Sequence, residues 1–170
     1  PIPTGTATLE QADGEPAVVV RTVVGASPLT QWISLPPDSP ALVIRTKVDW
    51  QERQKLPKLG FDFDLRADTS AAETHFGHYR RPTHTNTSWE AARFEFCAHR
   101  WLLVDEPGYG VAVANDATYG HEVTRDVRTD GGTTPVRLSL LRAAIYPDPH
   151  ADRGRHEFTV AVRPNAGAAE

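Results

Sequence analysis

The stretch ALVIRTKVDW, residues 41–50, decides the fold because its apolar side chains recur at every second position. Ile44, Val48 and Trp50 share one parity, whereas charged residues occupy the other. A helix repeats its apolar positions every three or four residues, while a strand sends successive side chains to opposite faces. The stretch therefore predicts a β-strand with one buried and one solvated face.

The same alternation recurs in three later segments, FDFDL (61–65), VRLSLL (136–141) and HEFTVAV (156–162). The 14 prolines and 12 glycines separate such segments with turn-forming clusters, and no stretch shows a sustained helical repeat. This pattern predicts an all-β fold, an antiparallel two-sheet β-sandwich of about ten strands. We expect a single domain over residues 1–164 and a flexible tail over 165–170.

Composition excludes several classes of function. The chain has 170 residues, a net charge of −4 and no basic surface suited to a phosphate backbone, so nucleic acid is not an expected partner. It lacks an apolar run of roughly 18 residues, so we expect no membrane span, and it opens without a signal peptide. The single cysteine, Cys97, excludes an intrachain disulfide and fits a reducing compartment. The start PIPTG, without methionine, suggests a piece of a longer protein.

The window RPTHTNTSWEAARFEFCAHRW, residues 81–101, concentrates chemically reactive side chains. Its part ARFEFCAHR alternates and predicts a strand with Phe94 and Phe96 inward. Glu95 and His99 then share the solvated face, about 13 Å apart by the strand rise. That separation is too long for a hydrogen bond, so the interpretation favours a structural role over a catalytic pair.

Histidines are numerous, but their spacing does not predict a metal site. No HExxH or paired CxxC motif occurs among them. His75 and His78 differ by three, which sends them to opposite faces of a strand. Cys97 has no motif that would activate its thiol, so we interpret it as a structural residue. The five central histidines are His75, His78, His84, His99 and His121.

Two polar loops are candidates for binding. In RPTHTNTSW, Thr and Ser favour an irregular turn, and the alternative is an ordered loop that directs Arg81, His84 and Asn86 towards a ligand or partner domain. Asn86 also begins an N-glycosylation pattern, which is short and frequent by chance. In the second loop, Asn115, Asp116 and Tyr119 follow the apolar run VAVA; they form either a plain turn or a sugar contact.

A third loop, YPDPHADRGRHEF (146–158), is rich in proline and aspartate. Its two prolines and Gly154 predict a rigid structural bend before the last strand. Asp148, Asp152 and Arg153 are expected to hold it together by charge-assisted hydrogen bonds. We therefore predict a structural role for this loop.

Several long motifs, in this order, resemble the C-terminal region of family 38 glycoside hydrolases, the α-mannosidases. The resemblance extends from about residue 17 to residue 163 and is greatest for the cytosolic and bacterial members. The motifs are VDWQERQKLPKLGFDFDL, RPTHTNTSWEAARFEFCAHRW, EPGYGVAVANDATYGHEV and RLSLLRAAIYPDPHADRGRHEFTVAV.

The resemblance implies a galactose-mutarotase-like supersandwich that serves a larger enzyme, a retaining, metal-dependent hydrolase of α-mannosides. In the family, the catalytic aspartates and zinc ligands belong to an N-terminal domain whose motifs are missing from this sequence. No catalytic or metal residue can therefore be carried over, and the chain alone is expected to be inactive, without a cofactor and cytoplasmic. The expected partners are the catalytic and helical domains of the same polypeptide, with a homo-oligomer possible.

The resemblance also implies that sandwich loops border the substrate cleft. Two departures from the family affect this border: Thr118 replaces a usual basic residue, and Asp105 replaces a usual serine. Two other interpretations stay open at this point, a freestanding carbohydrate-binding module and a structural or oligomerisation domain. The candidates for the border are Arg80, Arg81, His84, Asn115, Asp116 and Tyr119.

Overall fold

The computed structural model describes residues 5–128 and 131–166, and strands are the main regular element of these ranges. The strands pair into two antiparallel sheets, which confirms the predicted fold class. The described ranges also contain one short helix, α1 (Ser88–Ala92). In chain order the strands are β1 (Thr6–Ala12), β2 (Glu15–Val24), β3 (Ser27–Ser34), β4 (Leu42–Trp50), β5 (Lys58–Phe63), β6 (Thr69–Thr74), β7 (Gly77–Pro82), β8 (Phe96–Cys97), β9 (Trp101–Glu106), β10 (Tyr109–Asn115), β11 (Gly120–Val123), β12 (Asp126–Arg128), β13 (Gly131–Ser139) and β14 (Gly154–Pro164).

The described ranges thus hold fourteen strands rather than about ten. The excess comes from short elements such as β8, of two residues, and β12, of three. A strand this short contains too few positions to show an alternation.

The chain divides into two compact units, the first formed by the described residues of 1–57 and 141–161. Within it, β1, β2, β3, β4 and β14 follow one another in the sheet. On β4, the predicted inward residues Ile44, Val48 and Trp50 are all buried, as is Phe158 on β14. The alternation in the sequence therefore identified the buried face correctly.

The second unit, formed by the described residues of 58–140 and 162–170, contains strands of both sheets. One set has the order β10-β9-β6-β7; the other has the order β12-β13-β11-β8, with β5 paired to β13. Buried Val104, Val113, Val136 and Leu138 come from the two sets. This unit carries all six candidate site residues.

The connection from β7 to β8 differs from the sequence prediction. Thr87 begins α1, with φ −115° and ψ 160°, and its side chain accepts a hydrogen bond from the backbone of Glu90. The helix ends at Ala92, the first residue of the predicted strand, and Phe94 is 51% exposed, so the prediction that Phe94 faces the core is wrong. A satisfied helix N-cap outcompetes a strand whose alternation covers only a few residues. Pairing begins only at Phe96, which is half-buried.

The proline-rich loop after β13 has the structural role that the sequence predicts. Oδ2 of Asp152 accepts hydrogen bonds from the backbone N–H groups of Arg142, at 3.0 Å, and Ala143, at 2.8 Å. Arg153 donates to the side chain of Gln51, at 3.3 Å. These bonds fix the loop inside the first unit.

Residues 1–4 and most of the predicted tail, residues 167–170, lie outside the described residues. Within the described ranges, no helix has the length and apolar character needed to cross a bilayer. The single domain over 1–164 stays a prediction.

Candidate functional site

The six predicted site residues all lie in the second unit, three around one cavity and three around another. Arg80, on β7, forms a bidentate ion pair with Asp105 of β9, with both N–O distances 2.9 Å. It also donates to Oγ1 of Thr69, at 3.0 Å. The hydrogen bonds with Asp105 raise the pKa of Arg80. This guanidinium is therefore engaged within the unit, and the aspartate that departs from the family pattern is its partner.

Arg81 and His84 line a cavity of about 300 Å³ between β7 and α1, here called the arginine cavity. The guanidinium of Arg81 lies 4.8 Å from the ring centroid of Phe96 and donates to the carbonyl of Arg93, at 3.4 Å. Stacking on an aromatic face holds a guanidinium in place while its N–H edge stays available. The lining of the arginine cavity includes Arg80, Arg81, His84, Glu90, Arg93, Phe94 and Phe96.

The arginine cavity is lined by a carboxylate, from Glu90, and by the guanidinium groups of Arg81 and Arg93. In the described part of the chain, no ion pair joins Glu90 to Arg81 or Arg93. Two buried atoms of its lining, Nδ1 of His84 and Oε2 of Glu90, have no hydrogen-bond partner among those residues. Such a lining can bind a polar ligand that accepts hydrogen bonds from the guanidinium groups and donates to the carboxylate.

Asn115, Asp116 and Tyr119 line a separate, open cleft of about 450 Å³ where β10 leads into β11. We call it the His–Tyr cleft. Asp116 and Tyr119 are exposed, and Tyr119 is 61% accessible. The residues that define the cleft are His75, His99, Arg100, Asn115, Asp116, Ala117, Thr118 and Tyr119.

The side chain of Asn115 links residues of the cleft by hydrogen bonds. Its Oδ1 accepts hydrogen bonds from the backbone N–H of Thr118, at 2.8 Å, and from the Thr118 hydroxyl, at 3.1 Å. Its Nδ2 donates to the carbonyl of His99, at 3.2 Å. For Asn115 the structure thus supports the turn interpretation, and the exposed Asp116 and Tyr119 remain the groups that can meet a sugar.

Three rings on different elements meet at the His–Tyr cleft. The imidazoles of His75 and His99 lie edge to face at 4.7 Å between centroids, and Tyr119 lies 5.9 Å from His99. Nearby, Arg100 pairs with Glu73, and this hydrogen bond lowers the pKa of Glu73. Sequence reasoning missed His75 because it joins His99 only through the pairing of β6 with β9.

Glu95 and His99 do not act as a pair. Glu95 forms an ion pair with Lys58, at 2.7 Å, and accepts a hydrogen bond from Ser139, at 2.8 Å. The ring of His99 instead packs between His75 and Tyr119. This arrangement supports the structural interpretation of the window 81–101.

The resemblance implies a divalent metal in the N-terminal catalytic domain of the family, not in this chain. Among residues 5–128 and 131–166, no group of three His, Cys, Asp or Glu side chains is arranged to bind a metal ion. His75 and His99 supply only two nitrogen-bearing rings. The described residues therefore do not fit the metal.

Comparison with known sequences identifies relatives over most of the chain. Residues 5–150 match the model of the glycosyl hydrolases family 38 C-terminal domain. Alpha-mannosidase 2C1 of Homo sapiens is 43% identical over 142 residues, which cover 84% of this chain and 13% of the human protein. Alpha-mannosidase of Saccharomyces cerevisiae is 42% identical over 72% of this chain and 11% of its own length. The chain thus spans a small part of the curated relatives it matches.

Comparison with solved structures supports the fold. An alpha-mannosidase from Enterococcus faecalis V583 has a TM-score of 0.77 at 15% identity, over 96% of this chain and 22% of that one. A putative aldose 1-epimerase from Escherichia coli K12 has a TM-score of 0.51 at 11% identity, over 94% of this chain and 68% of that one. At these identities the likeness concerns the fold alone.

Proposed function

The chain belongs to the family of glycosyl hydrolases family 38 C-terminal domains, and we propose that it is the accessory β-sandwich domain of a larger α-mannosidase. One observation carries this proposal: relatives named alpha-mannosidase are 38–43% identical to the chain, which spans only 11–13% of their length. A domain that forms so small a part of an enzyme depends on the rest for catalysis. In this proposal the whole protein is cytoplasmic, in keeping with the lone, unpaired Cys97.

Hydrolysis of a glycoside with retention uses two carboxyl groups about 5–5.5 Å apart, one as nucleophile and one as acid and base. We place both groups, and the divalent metal, in another domain of the parent polypeptide. When bound there, the metal would supply a positive charge that orients the sugar hydroxyls. No step of the reaction is assigned to a residue of this chain.

The contribution of this domain is to border the substrate. Tyr119 offers an exposed aromatic face on which a sugar ring can pack, and Asp116 offers a carboxylate that accepts from hydroxyl groups. Arg81 and His84, in the arginine cavity, can donate to hydroxyl oxygens. Arg80 and Asn115 act as positioning residues because their polar groups are already bonded inside the unit.

Hydrolysis of an aryl α-mannoside tests the proposal. We expect the longer gene product to hydrolyse it and the pure 170-residue chain to show no hydrolysis above background. In the longer product, Tyr119→Ala should raise KM about ten-fold through loss of a ring contact, while Tyr146→Ala, at an exposed tyrosine that lines neither cavity, should leave KM unchanged. Hydrolysis by the chain alone at the rate of the longer product would refute the proposal.

A further inference from the structure

The hairpin of β6 and β7 ends in an unusual residue. Thr74 pairs with Gly77, so the turn consists of His75 and Phe76 alone. Phe76 has φ +67°, in the left-handed region, and its accessibility is 108% of the reference for an exposed residue. A bulky residue with positive φ is a genuine outlier in protein backbones.

Neither the turn nor the packing of the chain explains phenylalanine at this position. A two-residue turn with a left-handed second position favours glycine or asparagine, which adopt it with little strain. The phenyl ring, fully exposed, contributes no burial to its unit. Strained residues that persist in a structure point to a function outside local folding.

Phe76 also extends a larger surface. Its ring centroid lies 6.4 Å from that of His75. The ring of His75 contacts His99, and the ring of His99 in turn contacts Tyr119. Beside this row, the side chain of Arg100 is 81% accessible. An apolar anchor flanked by imidazole, phenol and guanidinium groups fits a partner surface that has an apolar pocket and a rim of carbonyl or carboxylate oxygens.

We infer that Phe76 anchors this domain to the remainder of its parent polypeptide, and this inference rests on the proposed function. The curated relatives continue for most of their length outside the matched region, so a large surface of the same chain is available as the occupant. The anchor lies beside the His–Tyr cleft, so docking would hold Asp116 and Tyr119 at the border with that surface.

Matched variants at position 76 test the anchor because the backbone strain at Phe76 should lower the stability of the isolated chain, whereas its ring should strengthen docking. In the 170-residue chain, Phe76→Gly and Phe76→Asn should raise Tm by roughly 2–4 °C, since they relieve the left-handed strain. No buried area is lost, because the ring of Phe76 is fully exposed. Phe76→Leu keeps both the strain and an apolar side chain, so its Tm should stay near that of the natural sequence. An unchanged or lowered Tm for both Phe76→Gly and Phe76→Asn would contradict the strain argument.

Amide hydrogen exchange of residues 73–79 then reports the docking. In the longer gene product we expect these amides to exchange at least about ten-fold more slowly than in the 170-residue chain. Phe76→Asn should abolish this protection and Phe76→Leu should keep it. Equal exchange in the two proteins, or a dimer of the 170-residue chain that Phe76→Asn dissociates, would overturn the inference. Protection without mannosidase activity would refute the proposed function and leave the docking intact.

Discussion

Asn115 and His121 are hydrogen-bonded to each other, with Nδ2 of Asn115 3.3 Å from Nε2 of His121. On the other side of the imidazole, Nδ1 lies 3.1 Å from the carbonyl oxygen of Tyr119. A carbonyl can only accept, so Nδ1 carries the proton and Nε2 accepts from the amide. Both side chains are buried, and the floor of the His–Tyr cleft therefore depends on a neutral histidine held by two partners.

Replacement of Asn115 should destabilise the protein. Asn115→Ala removes the acceptor of Thr118 and the donors to His99 and His121, which leaves buried polar groups without partners. We expect a loss of about 2–3 kcal/mol in the free energy of unfolding, measured with urea. Ala117→Ser, an exposed change in the same turn, is the control and should cost less than about 0.5 kcal/mol. Equal stabilities of the two variants would contradict the structural role of the amide.

His121 should make stability depend on pH. Burial lowers the pKa of His121 from its usual 6.5, while the bond to the Tyr119 carbonyl opposes the shift. Between pH 6.5 and the lower pKa of the folded state, His121 is protonated in the unfolded chain but stays neutral in the folded one. The free energy of unfolding therefore falls as pH decreases through this range. This contribution amounts to at most about 1.4 kcal/mol per pH unit.

His121→Gln isolates that contribution. Its free energy of unfolding should change less between pH 7 and pH 5 than that of the natural sequence, because glutamine does not titrate. Urea unfolding at both pH values provides the comparison, and the difference between the proteins removes the effect of the other histidines. Identical changes in the two proteins would show that His121 is not kept neutral by burial.

Asp152 should stabilise the proline-rich loop above its own titration range. Backbone hydrogen bonds from Ala143 and Arg142 lower the pKa of Asp152 from 3.8. Its contribution is therefore present above that value and is lost as pH falls through the folded pKa. Asp152→Asn should cost about 1 kcal/mol at pH 7, and its stability should fall less than that of the natural sequence in acid. Asp148→Asn, where the carboxylate accepts one backbone bond from His150, is the matched control and should cost less.

The strands were predictable because their signal is local. Ile44, Val48 and Trp50 are buried by the same alternation that the sequence shows, and Phe158 and Val160 on β14 repeat the result. A half-buried strand needs only its own residues to reveal its inner face. The fold class followed from adding such segments together.

The site was less predictable because it depends on distant pairings. His75 meets His99 through the alignment of Ala71 with Leu103, a contact between strands that lie far apart in the sequence. A single sequence contains no signal for that register. The left-handed backbone of Phe76 likewise appears only once the two-residue turn is known.

The helix α1 was missed although its start signal is present. Thr87 and Glu90 form the pattern T-x-x-E that begins many helices, and the hydroxyl of Thr87 accepts from the backbone of Glu90, at 3.3 Å. The hydroxyl-rich residues 81–89 favour a polar turn, and the alternation predicts a strand that begins only at Ala92. A helix of only five residues has no apolar repeat that would have corrected the interpretation.

Thr87→Ala tests whether that cap decides the local structure. Loss of the hydroxyl should cost about 1 kcal/mol in the free energy of unfolding and raise hydrogen exchange over Ser88–Ala92. Thr87→Ser keeps an oxygen that can accept the same bond, so it should retain most of the stability. Because Glu90 lines the arginine cavity, the alanine variant should also loosen the carboxylate that faces Arg81 and Arg93. If Thr87→Ala and Thr87→Ser were equally stable, packing rather than the cap would hold the helix.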